Sequence, residues 1–159
     1  MLLSAQIAKH FREVFFGGNW TSVNLTDTLK DINCQQATTQ VYSLNTIAKL
    51  TFHINYYVSA VLKVLQGGPL DAHDKYSFDL PPLQSEEDWQ KLMNKTFSEA
   101  EQFADLIQQL PEDKFYEIFD DEKYGTYHRN LLGIIEHTHY HLGQIVIIKK
   151  IILSRQNAS

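Results

Sequence analysis

From Tyr127 to Leu153 no proline interrupts the chain, and Ile134, Thr138, His141, Ile145, Ile148 and Ile152 step by four, three, four, three and four residues. That alternation keeps one row of side chains on a single face of a 3.6-residue helix, whereas a strand would divide them between two faces. The β-branched run IVIIKKII has strand propensity, but propensity is the weaker signal beside a seam this long. At 1.5 Å per residue the segment makes a helix about 40 Å long.

Three more segments carry the same periodicity, and chain breakers fall between them. The first runs from about Leu2 to Phe16, with Leu3, Ile7, Phe11 and Val14 or Phe15 on one face, and Gly17-Gly18 ends it. A connection to Tyr42 follows, with one short helical turn expected at Thr26 to Ile32. Ser43 can cap the second segment, where Ile47, Leu50 or Thr51, Ile54, Val58, Val61 and Leu65 form the seam before Gly67-Gly68-Pro69. The stretch to Pro82 reads as a solvated loop carrying Asp71, His73, Asp74 and Asp79, long enough to cross the end of a bundle. Ser85 with Asp88 is a partial capping signal for the third segment, whose seam is Trp89, Leu92, Thr96, Ala100, Phe103, Ile107 and Leu110. Pro111 closes it, and an acidic loop from Glu112 to Gly125 leads to the fourth. The expected fold is all-α, a four-helix bundle with long connections between helices 1 and 2 and helices 2 and 3, in a single domain over residues 1–159.

A chain of 159 residues buries enough surface to fold without a disulfide or metal, so a metal here would serve chemistry. Fourteen Lys and Arg against nineteen Asp and Glu give a net charge of -5 with no basic stripe, which opposes nucleic-acid binding. Cys34 is the single cysteine, so an intrachain disulfide and a thiolate zinc cluster are excluded, and a reducing, cytoplasmic setting is expected. Lys9, Arg12 and Glu13 break the apolar start as a signal peptide, and Lys149 and Lys150 break the most apolar run far short of a membrane span of about 20 residues. Three Asn-x-Thr matches, at Asn19, Asn24 and Asn94, carry no weight without secretion.

The fourth segment holds the motif EHTHYHLGQ, Glu136 to Gln144. On a helix, His137 and His141 lie within about 40° of each other, while His139 and His128 point away from that face. One inward histidine is ordinarily a hydrogen-bonded core residue. Two stacked one turn apart form an i, i+4 chelate for zinc or a similar ion. Two nitrogens hold a divalent ion weakly, so a facing helix should supply a third ligand, and His53 in the second segment is the candidate. Its local sequence fits equally a flank histidine with its polar end in solvent. His10, on a short helix, and His73, in the acidic loop, are weaker choices.

His53 in FHINYY, together with His137-x-x-x-His141 followed by Gly143-Gln144, resembles the DinB-like (DinB/YfiT) superfamily of metal-dependent proteins. The Gly17-Gly18-Asn19-Trp20-Thr21 loop and YGTYHRN before the fourth helix extend the resemblance over nearly the whole chain. Many members carry His-His-Arg-Gly-Gln where this chain has Tyr140-His141-Leu142-Gly143-Gln144, so the ligand position is kept and the Arg is not. The resemblance implies an up-down-down-up bundle and a divalent ion, Zn, Ni, Fe or Mn, held by His53, His137 and His141. It also implies a small-molecule substrate, with a metal-dependent S-transferase using a thiol of the bacillithiol, mycothiol or glutathione type as the leading activity. The competing readings are a non-catalytic metal-binding or stress-response bundle, in that case a homodimer through an exposed helix face, and a metal-dependent hydrolase. By helix geometry, Asn130 and Gln144 lie seven residues either side of His137 and line the pocket or orient its ligands, and Tyr57, one turn beyond His53, offers a hydroxyl; the alternative for all three is a polar residue on the bundle's rim. Gly133 leaves room above the site or permits close packing. Glu136 is turned about 100° from its ligand neighbour and is not assigned as a base. No membrane and no nucleic-acid partner is expected.

Overall fold

The computed structural model describes residues 2–158. It is all-helical, with no strand among the described residues and a single isolated bridge between Ile118 and Thr126. Four helices are long: α1 (Leu3–Phe16), α4 (Ile47–Leu65), α5 (Glu86–Gln109) and α6 (Tyr127–Asn157). Two short ones, α2 (Leu25–Leu29) and α3 (Cys34–Thr38), lie in the first long connection. No described helix is long and apolar enough to cross a membrane.

Most seam positions read from the sequence are buried, with Leu3, Leu65, Leu92 and Leu110 only partly so. Ile7, Phe11, Val14 and Phe15 of α1 are buried, as are Ile134, Thr138, His141, Ile145, Ile148 and Ile152 of α6. Helix α5 packs on both α1 and α4, and α6 packs on both α4 and α1. Contacts give the directions. Glu112, just beyond the end of α5, accepts hydrogen bonds from the Leu3 and Ser4 amides, while Phe16 at the other end of α1 meets Phe97, so α1 and α5 are antiparallel. His53 and Tyr57 of α4 face His141 and His137 of α6 in reverse order, so that pair is antiparallel too. Lys149, late in α6, donates to the Thr28 carbonyl beyond the end of α1, so α1 and α6 run the same way.

Local chemistry sets the helix ends, and it corrects two expectations. The N-cap of α4 is Thr46, whose hydroxyl accepts from the Lys49 amide at 3.2 Å, not Ser43. The physical reason is position: the buried seam starts at Ile47, and the hydroxyl beside it is Thr46, while Ser43 is exposed in a turn after Tyr42 at φ 50°. At α5 the partial signal is a complete capping box, since Ser85 accepts from the Asp88 amide and Asp88 accepts from the Ser85 amide. Helix α3 was not foreseen; its capping box between Asn33 and Gln36 was legible as Asn-x-x-Gln.

The core joins all these elements. Trp89, with no exposed surface, donates from its indole nitrogen to the Ile32 carbonyl at 2.7 Å, which ties the first connection to the start of α5. Asn19, 6% exposed, donates to the Glu13 and Val23 carbonyls and closes the Gly17-Gly18 loop. Phe115 is fully buried and anchors the acidic connection before α6.

Candidate metal centre

Helices α4 and α6 meet at three imidazoles. One ring nitrogen from each of His53, His137 and His141 lies within 4.8 Å of the others. His53 and His141 are each 7% exposed and His137 is half-buried. The solvent-facing alternative for His53 is thereby removed, because its ring is packed parallel to Phe78 at a centroid distance of 3.8 Å.

Second partners fix two of the rings. The Ser77 carbonyl can only accept, so His53 Nδ1 carries its proton and donates across 3.1 Å, leaving Nε2 as a bare lone pair. His141 Nδ1 donates to Gln144 Oε1 at 2.8 Å, leaving its own Nε2 free in the same way. Metal-binding imidazoles are commonly oriented through their other nitrogen in this manner. His137 lacks such a partner: its Nδ1 is buried without a hydrogen bond among the described residues, and its Nε2 lies 3.1 Å from His53 Nε2.

These distances fit an ion. Two nitrogens bound tetrahedrally at 2.0–2.1 Å stand about 3.3 Å apart, close to the His53–His137 spacing, and the widest gap closes with about 1.5 Å of side-chain rotation. The protonation states fit as well. Burial first, then the neighbouring His141 and His53, holds His137 down at about 4. Burial likewise lowers His53 and His141, with the Ser77 and Gln144 bonds opposing it only in part. All three rings are therefore neutral near pH 7, the form that binds metal.

The histidines line a cleft of about 870 Å³ between α4, α6 and the connection from α4 to α5. That connection departs from the expected solvated loop. Ser77 is buried, Phe78 covers His53, and the Tyr57 hydroxyl donates to Asp74 at 2.6 Å. The correction has a local cause: a short 3-10 turn, Asp74–Tyr76, folds the acidic stretch back onto α4, where His53 and Tyr57 supply its partners. Burial and the bond to Asp74 push the Tyr57 phenol up to about 12, so it remains a hydrogen-bond donor at neutral pH.

The remaining sequence candidates divide by geometry. Gln144 reaches His141, Tyr57 lines the cleft, and Asn130 lines it while donating to the Tyr124 and Thr126 carbonyls, which pins the turn before α6. A Cβ on Gly133 would meet nothing within 4 Å, so this residue leaves open space in the cleft. His139 packs near His10, with centroids 6.4 Å apart, away from the cluster. Glu136 is exposed. Ser77, Phe78 and Arg129 were missed by sequence reasoning, and Asp74 was read only as part of a solvated loop; no periodic signal marks Ser77, Phe78 or Asp74, since they sit in a connection.

Fold and site together define a class: an all-helical protein with a three-histidine cluster able to hold a metal ion. No family model matches the chain, nor does any curated protein or solved structure compared with it.

Proposed function

We propose that the chain is a DinB-like divalent-metal protein in which His53, His137 and His141 hold Zn, Ni, Fe or Mn, and that it works as a metal-dependent S-transferase for a low-molecular-weight thiol. The observation that carries the reading is the convergence of three neutral imidazoles, from α4 and α6, within 4.8 Å of one another in an open cleft. The helix directions, α1 and α6 one way and α4 and α5 the other, support the up-down-down-up order that the family resemblance implies.

The donor set has no charge, so a bound ion keeps its own, and three ligands leave a coordination position for a substrate. When bound, the ion supplies Lewis acidity, lowering the pKa of a thiol or water. The chain does the rest. Ser77 and Gln144 hold His53 and His141 with Nε2 toward the site, Phe78 shields one face of His53 from water, and the space beside Gly133 admits a substrate. The thiol gives its proton to solvent, the thiolate sulfur bonds to an electrophilic carbon, and that carbon's leaving group departs with the bonding electron pair.

The test is thiol consumption by metal-loaded protein against a panel of alkyl and aryl electrophiles. Saturable turnover that disappears in His53→Ala and His141→Ala is expected. Stoichiometric metal uptake without turnover would make the chain a passive binder, and thiol-independent cleavage of chromogenic esters would make it a hydrolase.

A further inference from the structure

We propose that the substrate handled at the histidine cluster carries an oxyanion, a carboxylate, phosphate or sulfonate, held by the Arg129 guanidinium with Lys75 as a second cation of the same cleft; this inference rests on the metal-and-thiol reading above.

The charge distribution is the first support. The whole chain has a net charge of -5, yet among the described residues lining the cleft Asp74 is the one carboxylate, against Arg129 and Lys75. Asp74 already accepts from the Tyr57 hydroxyl. An ion on three neutral imidazoles would add two positive charges to the same space. On the cleft lining of this acidic protein Lys75 and Arg129 outnumber Asp74, which favours an anion there.

The placement of Arg129 is the second support. The other two arginines are engaged: Arg12 pairs with Glu101 and Asp105, and Arg155 lies over the Tyr42 ring. The Arg129 guanidinium has no hydrogen-bond or ion-pair partner among the described residues, although it lines the cleft. Its stem is nonetheless seated. A Cβ built on Gly125, at φ 75°, would stand 2.9 Å from Arg129 Cδ, so the glycine makes the space in which that stem packs. Asn130 holds the same turn through the Tyr124 and Thr126 carbonyls. An exposed arginine whose stem passes over Gly125 and whose fork has no partner is free for bidentate contact with an oxyanion.

Arg129 precedes His137 by two helical turns, about 12 Å along the axis. The wall between includes Val61, Leu70 and Ile134. The substrate so described has its sulfur or electrophilic centre at the histidines, a short apolar stretch, and an anionic end.

The probes are ω-mercaptohexanoate and its neutral counterpart ω-mercaptohexanol, titrated into cobalt-loaded protein and followed by the thiolate-to-cobalt absorption. The carboxylate thiol is expected to bind about tenfold tighter or more, as suits a charge-assisted pair. In Arg129→Gln most of the preference is lost, leaving about threefold or less from Lys75, while the affinity for the alcohol is unchanged; in Gly125→Ala the preference is reduced because the stem is displaced. A second arm needs no metal: hexanoate, but not hexanol, shifts the Arg129 Nε–H resonance of metal-free protein. Equal affinities in the wild type, an unchanged preference in Arg129→Gln, or an Arg129 signal blind to hexanoate overturns the oxyanion inference. Failure to take up cobalt, with the hexanoate response intact, overturns the metal reading and leaves this one standing.

Discussion

Acid should loosen the metal-free protein well above the range in which its carboxylates titrate. His137 is held at about 4 by burial and by its two neighbours, against an ordinary 6.5 once unfolded. A histidine with a depressed folded value contributes stability that is whole above about 6.5 and is lost as pH falls toward the folded value, because the unfolded chain then binds the extra proton. For these two values the difference between about pH 7.5 and about pH 5 is about 2 kcal/mol, an upper figure because water reaching the half-buried ring screens part of it. His53, His141 and His139 are also lowered, mainly by burial, and act with the same sign. The lowered carboxylates Asp27, Asp31, Glu86, Asp88 and Glu112 start from ordinary values of 3.8 or 4.5, so their effect falls below this window. Urea unfolding in the presence of a chelator should show the midpoint falling by about 1 M between those pH values. His137→Gln should flatten the dependence. An equal midpoint at both pH values, or an equal drop in the variant, would refute the assignment of buried neutral rings.

Three further outcomes follow from individual contacts. Gln144→Leu removes the acceptor of His141 Nδ1 and should weaken metal affinity about 10–100-fold in a chelator competition, with the fold intact by circular dichroism. Phe78→Ala uncovers the ring it stacks on and should raise the pKa of His53 toward its ordinary value in a proton NMR titration of metal-free protein, since burial is the first cause of its lowering. Trp89→Ala removes a fully buried indole and its bond to Ile32, costing about 3–5 kcal/mol and lowering the thermal midpoint by about 10 °C or more.

The parts of the fold that repeat were legible, and the parts that do not repeat were not. Six seam positions of α6 could be named because burial of a helix face forces a 3.6-residue period, and His141 took its place among Ile134, Ile145 and Ile148 on that ground. The pairing of His137 with His141 followed from the same geometry. His53 was ambiguous because it sits beside its seam; what buries it is Phe78, eight residues beyond Leu70 in a connection with no period of its own. Ser77 acts through its backbone carbonyl, which any residue carries, so its side chain gives no sign of the role. The cap of α4 was misplaced by three residues because hydroxyls occur at both Ser43 and Thr46, and only the start of the buried face at Ile47 chooses between them. Nothing in the sequence singles out Arg129, a charge near a helix start. Its significance depends on Gly125 and on the cleft, both three-dimensional facts.

The most direct test of the central claim is metal content, measured by plasma mass spectrometry on untagged protein purified alongside His53→Ala and His141→Ala. About one divalent ion per wild-type chain is expected after exposure to the candidate metals, with loss of that ion in both variants while their helical content is kept. Metal retained by either variant at the wild-type level, or a wild type that takes up none of the ions, would contradict the claim that His53, His137 and His141 form a metal centre.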